Sequence, residues 1–292
     1  MYTNYFGFKE LPFSLTPDSA YFYRERSHED SLRILLIAIE HGEGFVKLIG
    51  EVGTGKTLLC RRLLAQLEKS YLAAYIPNPM LEPEELKWAI ATELGCDVEK
   101  GINASDLTNA IQQRLLDLAR SGTRVVTLVD EAQAMPLRTL EGLRLLSNLE
   151  TEKRKLLQVI LVGQPELDVL LNRKELRQLK QRITFSERLS SLRLGDVHRY
   201  IEHRTTAAGQ PLDVFSHSAA LLIGVASGGI ARLINIVCHK ALLLAYSRGD
   251  MSVKIWHVAK AVLDTEGCTA KGRGVAHLIA RNTFAPAMRA SV

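Results

Sequence analysis

Paired cysteines, clustered histidines and long apolar runs are all missing from this sequence, and each absence removes a class of protein. Of its 292 residues only 4 are cysteine, and Cys60, Cys96, Cys238 and Cys268 are scattered with no Cys-x-x-Cys spacing. That pattern indicates neither a disulfide framework nor a structural zinc site. The 8 histidines are equally dispersed, and the pair His198 and His203 falls off a common helical face, so ligation of a metal by histidine is not indicated. No uninterrupted apolar run is long enough to span a bilayer, and Met1-Tyr2-Thr3-Asn4-Tyr5-Phe6 lacks the charged region and apolar stretch of a secretory signal. The expectation is a cytoplasmic protein.

What is present is ample apolar material, 47% of the chain, and a modest net charge of +5. The first suffices for a buried core, and the length suggests two domains. The second favours contact with an acidic surface, but does not choose among nucleic acid, anionic lipid and acidic protein.

Between residues 45 and 188 short β-branched runs alternate with longer helical patterns, the signature of a parallel sheet with crossover helices. Strands are expected at 45–49, 72–76, 124–129, 157–162 and 183–189, with helices at 58–69, 84–94, 105–121 and 137–149. Past Leu192 the β-branched runs stop and helical patterns follow at 195–208, 216–227, 230–247 and 252–266, punctuated by Gly209, Gly228-Gly229 and Gly249. The fold class is therefore α/β, a parallel sheet flanked by helices and followed by a small all-helical domain. Residues 1–190 form the first domain, including an aromatic N-terminal segment, 1–44, and residues 191–267 form the second. Residues 268–292, with Lys271, Arg273, Arg281 and Arg289 but no acid, read as a mobile basic tail, solvated or facing an anionic partner. The aromatics Phe6, Phe8 and Phe13 either fold over a nucleotide base or plug the sheet edge.

The most specific motif is Gly50-Glu51-Val52-Gly53-Thr54-Gly55-Lys56-Thr57, which fits GxxxxGK(S/T) and sits between an expected strand and a helix beginning near Leu58. In that context the backbone N–H groups and the helix N-terminus cradle a polyphosphate, Lys56 reaches the β- and γ-phosphates, and Thr57 holds magnesium. Hydrolysis needs a second acidic site. The run Val125-Val126-Thr127-Leu128-Val129 ends in Asp130-Glu131, at the edge where ligands sit in open α/β sheets. Asp130 then binds magnesium and Glu131 activates the attacking water, unless the pair is only a helix N-cap.

A further strand ends in Gly163-Gln164-Pro165-Glu166. In the usual order it lies between the two motif strands, making Gln164 a candidate γ-phosphate sensor; the alternative is a turn with an exposed amide. Arg177 and Arg182 precede the last strand, far from their own phosphate loop in many such sheets. An arginine there can serve a neighbouring subunit's site, and the helix-to-strand junction favours Arg182 over Arg177, whose alternative is a solvated basic face. Arg232 stands in the first turn of a helix, an unfavourable end for a cation. It suits a nucleotide phosphate, or an ordinary surface ion pair.

These residues together resemble the AAA+ superfamily, and within it the general secretion pathway A-type ATPases. The likeness covers nearly the whole chain. It rests on Tyr5-Phe6-Gly7-Phe8, Pro12-Phe13-Ser14-Leu15-Thr16-Pro17-Asp18, the phosphate loop, Asp130-Glu131-Ala132-Gln133 and Leu145-Leu146-Ser147-Asn148-Leu149-Glu150-Thr151. It continues in Leu161-Val162-Gly163-Gln164-Pro165-Glu166-Leu167, Gln181-Arg182-Ile183 and Gly228-Gly229-Ile230-Ala231-Arg232-Leu233-Ile234-Asn235. Glutamine in the first sensor position is this family's habit. The resemblance implies a P-loop AAA+ core with a helical lid, using ATP and Mg2+. It further implies a homo-oligomer with shared sites that assists a type IV pilus or type II secretion machine at the inner membrane through a membrane-bound partner. Ala231 stands where the family often has proline. Longer members continue into a transmembrane segment and a peptidoglycan-binding domain, which this sequence does not include, so the short type of member, associated with the mannose-sensitive haemagglutinin pilus, is the nearer likeness. The alternative is a DNA-transaction ATPase similar to transposition helper proteins. The intact set of Lys56, Asp130 and Glu131 argues against a third reading, an adaptor that binds ATP without turnover.

Overall fold

The structure, a computed structural model, describes residues 2–16, 18–23, 26–67, 70–99, 101–151, 154–209 and 214–284. It divides into two compact units, one built from Arg26–Glu51 and Leu59–Leu189, the other from Met1–Glu25, Val52–Leu58 and Ser190–Val292.

In the first unit the expected apolar runs form strands β1 (Phe45–Gly50), β2 (Tyr71–Ile76) and β3 (Arg124–Val129). A short antiparallel ribbon, β4 (Glu150–Thr151) with β5 (Arg154–Lys155), comes next, then β6 (Leu157–Gly163) and β7 (Ile183–Leu189). The five long strands pair in parallel in the order β2-β3-β6-β1-β7. β6 is buried at all seven positions and β3 at five of six, the continuous apolar run that a sheet covered on both faces requires. The one polar side chain in β6, Gln158, is satisfied by donating from Nε2 to the carbonyls of Ile39 at 3.0 Å and Glu43 at 3.2 Å. Edge strand β7 instead alternates in exposure.

Parallel strands cannot be joined by tight hairpins, so helices carry the crossings. Ahead of the sheet come α1 (Tyr2–Phe6), which belongs to the other unit, and α2 (Arg26–Glu40); the crossings use α3 (Lys56–Gln66), α4 (Pro83–Glu93), α5 (Ala104–Arg120), α6 (Leu137–Leu146), α7 (Glu166–Leu171) and α8 (Arg177–Arg182). Local chemistry sets their starts. Pro83 opens α4, whose Glu85 carboxylate accepts the Glu82 N–H at 2.8 Å, and Asn103 caps α5 by accepting the Asp106 N–H at 2.9 Å. The buried face of α5, Leu107, Ile111, Leu115 and Leu118, follows the helical period.

The second unit holds α9 (Leu194–Ala207), α10 (His217–Ser227), α11 (Ala231–Ser247), α12 (Ile255–Leu263) and α13 (Ala270–Phe284). Two sequence expectations are corrected here. The N-terminal aromatics neither plug a sheet edge nor belong with the first unit. Tyr2, Phe6, Phe8, Phe13 and Tyr21 are buried in one core with α9 to α13. That core is rich in alanine, including Ala219, Ala226, Ala241, Ala245 and Ala259, so bulky rings supply volume that the helices' own small side chains do not. Arg204 of α9 fastens the segment: its guanidinium donates to the carbonyls of Pro12 at 2.7 Å and Ser14 at 3.0 Å and lies 4.4 Å from the centre of the Tyr21 ring.

The expected mobile tail is likewise a helix over 270–284, with 285–292 outside the described residues. Thr269 starts it, its Oγ1 accepting the Gly272 N–H at 3.0 Å, and Ala276 is fully buried. The inward face is Cys268, Gly272, Ala276 and Ile279, a helical period written in small residues and therefore invisible to a search for large apolar ones. A Cβ on Gly272 would overlap the Cα of Ala226 and come within 2.7 Å of its Cβ, whereas one on Gly274 would meet nothing within 4 Å. Gly272→Ala is expected to cost about 1–2 kcal/mol net of its helix-propensity gain, and Gly274→Ala to stabilise by up to about 1 kcal/mol. Urea unfolding of both variants checks this; two midpoints equal to wild type would mean that α13 is not packed.

Candidate functional site

Gly50 closes β1 and Lys56 opens α3, leaving Glu51, Val52, Gly53, Thr54 and Gly55 as the intervening turn. Gly53 has φ 82° and Gly55 φ 98°, conformations that glycine adopts without strain and that let successive N–H groups converge. Thr54 and Lys56 are buried, at 2% and 5% exposure, while Thr57 and Leu58 are half-buried.

Within the same unit the loop meets the start of α11. The Arg232 N–H donates to the Gly53 carbonyl at 3.1 Å, and a Cβ on Gly53 would overlap the Arg232 Cβ and lie 3.2 Å from Ile230 Cγ2. The Arg232 side chain is exposed and has no ion-pair partner among the described residues, so the ordinary surface pair gains no support. The approach of α11 itself depends on Gly229 at φ 77°, where the Leu192 N–H donates to the Gly229 carbonyl at 2.9 Å and a Cβ would overlap the Leu192 carbonyl.

The acidic residues stand at the carboxyl ends of β3 and β6, neighbours in the sheet. Asp130 is 4% exposed, and Tyr75 from the end of β2 places its hydroxyl 3.3 Å from Asp130 Oδ2. Burial, and then the adjacent Asp130 carboxylate, push the Tyr75 phenol up to about 12, so it stays a donor toward that carboxylate at neutral pH. Glu131 has φ 53°, the one left-handed non-glycine among the described residues. That conformation costs on the order of 1–2 kcal/mol and persists where surrounding contacts impose it.

Among those contacts are two side-chain amides. Gln133 Nε2 lies 2.6 Å and Gln164 Nε2 2.9 Å from the same oxygen, Glu131 Oε2, and Gln133 Oε1 accepts the Gln164 N–H at 3.0 Å. The carboxylate of Glu131 makes no helix-capping hydrogen bond to the 3-10 turn Ala132–Ala134 that follows it, so the N-cap alternative fails for Glu131. Gln164 is not an idle turn amide either. Gln133 was quoted in the motif without a role; the sequence hint was an amide two residues past the acid, opposite a glycine.

Arg182 lies elsewhere in the first unit. It ends α8 at the amino end of β7, the sheet edge opposite to the one where β1 delivers the phosphate loop. Its Nη1 reaches Ser147 Oγ at 3.2 Å and the Arg144 carbonyl at 3.4 Å, at the C-terminal end of α6, a position that suits a cation. Arg177 is exposed at the start of α8.

Thr57 and Asp130 offer hard oxygen donors. Each is the kind of donor magnesium uses, an ion that takes few protein oxygens and completes its shell with substrate phosphates and water. Among the described residues no group of three or more His, Cys, Asp and Glu is arranged to hold a metal alone, and no helix is long and apolar enough to cross a membrane.

A parallel sheet of this order, with a glycine-rich loop after β1, two carboxylates after β3, a glutamine after β6 and a helical region beyond β7, defines an AAA+ protein. A family profile for an AAA domain matches residues 39–171. The chain is 42% identical over 272 residues to general secretion pathway protein A of Aeromonas hydrophila, an alignment covering 93% of this chain and 50% of that protein. Residues 39–171 are thus an AAA domain, and the chain is similar to the general secretion pathway A type while spanning about half the length of that relative. Among solved structures, the fold is similar to the ORC2 protein of Aeropyrum pernix, with TM-score 0.66 and 19% identity over 90% of this chain and 73% of that one. It is also similar to Cdc6p of Pyrobaculum aerophilum, with TM-score 0.68 and 19% identity over 86% and 69%. At such identities the likeness is one of fold.

Gly53→Ala combines a left-handed alanine with an overlap against Arg232, and a loss of about 2 kcal/mol is expected. Thermal unfolding without nucleotide measures it; an unchanged midpoint would place Arg232 away from the loop.

Proposed function

We propose that this chain hydrolyses ATP to ADP and phosphate as a homo-oligomer with shared sites, and that turnover drives assembly or operation of a type IV pilus or type II secretion-like machine. The carrying observation is the Glu131 carboxylate, held at the sheet edge by two amides beside a buried Asp130. The backbone from Gly50 to Leu58 receives the phosphates, Lys56 neutralises the β- and γ-phosphoryl oxygens, and Thr57 with Asp130 binds magnesium. Held there, the metal would supply positive charge against the charge developing on the phosphoryl oxygens. Glu131 takes the proton of the attacking water, Gln164 contacts the γ-phosphoryl group, and Arg232 couples lid position to nucleotide state.

Arg182 acts on the nucleotide of a neighbouring subunit. Its station at the opposite sheet edge, fixed by the end of α6, supports action in trans. The machine is inferred from the motif resemblance together with the relative's designation as a general secretion pathway protein. The chain then works in the cytoplasm, peripheral to the inner membrane through a membrane-bound partner.

Lys56→Ala should lose nucleotide affinity. Glu131→Gln should bind ATP and turn over about 10²- to 10⁴-fold more slowly; normal turnover would remove Glu131 from the base role. Arg182→Ala should bind ATP with kcat lowered about 10³-fold or more, and mixing it with inactive Lys56→Ala should restore activity, because each supplies what the other lacks. No recovery on mixing would refute the shared site.

A further inference from the structure

We infer that Gln133 is a positioning residue that joins Gln164 to Glu131, so that the orientation of the base follows what Gln164 holds. The inference rests on the hydrolytic reading above. The geometry is a closed triangle: Gln133 donates to Glu131 Oε2 at 2.6 Å and accepts the Gln164 N–H at 3.0 Å, while Gln164 donates to the same Oε2 at 2.9 Å.

The chemistry of this position is demanding. Its side chain must reach back two residues to a carboxylate, donate there, and at the same time accept from the end of β6. A carboxylate in its place would repel Glu131, and a hydroxyl would be too short. An amide on a two-carbon stem does both. The opposite wall is shaped for it. A Cβ on Gly163 would stand 2.8 Å from Gln133 Oε1 and 2.9 Å from Leu167 Cδ2. Gly163 is not in the left-handed region, so glycine is needed there for room and not for backbone freedom.

Both amides share one carboxylate oxygen, which gives the arrangement a direction. When the Gln164 amide turns to a γ-phosphoryl oxygen, Glu131 Oε2 keeps the Gln133 donor and loses the other. Of the two amide contacts to that oxygen, only the Gln133 one then remains to orient the carboxylate. A side chain that merely propped the left-handed turn at Glu131 would need no link to β6.

The test is steady-state ATP hydrolysis by Gln133→Met, which keeps length and loses both hydrogen bonds, alongside binding of a fluorescent ATP analogue and thermal unfolding. The expected result is a kcat lowered about 10- to 100-fold, with analogue affinity at the wild-type value and a small drop in unfolding midpoint from the two lost hydrogen bonds. Gly163→Ala, which leaves the amide intact but displaces it and also presses on buried Leu167, should show the same kcat loss at wild-type analogue affinity, with a lowered unfolding midpoint. The double variant Gln133→Met/Gln164→Met should be little slower than the slower single variant, because both act through one carboxylate. Wild-type kcat in Gln133→Met, a parallel loss of affinity and midpoint, or fully multiplicative effects would each overturn the inference. A wild-type protein without turnover would instead sink the hydrolytic reading on which it stands.

Discussion

The seven-residue strand β6, buried at every position and flanked by β1 and β3 in parallel, is the constraint on which the site depends. Parallel pairing sends three neighbouring strands to the same edge. There the chain leaves the sheet after Gly50, Val129 and Gly163. Buried strands leave no side chain free for chemistry, so the functional groups are the first residues past each end: the glycine-rich turn, Asp130 with Glu131, and Gln164. Main-chain hydrogen bonds in the sheet thereby set where each of these turns begins.

The strained residue marks where this framework is put to use. Glu131 pays a left-handed backbone, and two amides and a neighbouring aspartate hold the turn. Strain retained beside buried charge is the pattern of a functional site. In the other unit the economy differs. Helices rich in alanine and glycine pack at close range, aromatics from the N-terminal segment fill the remaining volume, and a buried arginine, Arg204, ties that segment to α9.

Much of this was legible in the sequence because it rests on local signals. The three central strands β1, β3 and β6 are apolar runs rich in β-branched residues, so their places and the sheet class could be read directly, as could the glycine-rich turn, whose spacing is set by phosphate geometry. Three features were not legible, each for a physical reason. The helix over 270–284 buries Gly272 and Ala276, whose smallness removes the apolar contrast on which periodicity depends. The N-terminal aromatics find their partners about two hundred positions away, as Phe13 does in Phe215, and no local pattern reports such a contact. Gln133 acts through a triangle closed only when β3 and β6 are adjacent.

The chemistry we propose for these parts is phosphoryl transfer to water, with a base held in one subunit and an arginine presented to the next. That division makes turnover depend on association. The most direct measurement is the ATPase rate per subunit of the purified protein over a wide concentration range, with and without DNA. A shared-site ATPase acting on a protein machine predicts a rate that rises with concentration and ignores DNA. A rate per subunit independent of concentration, or turnover that appears only with DNA, would contradict it.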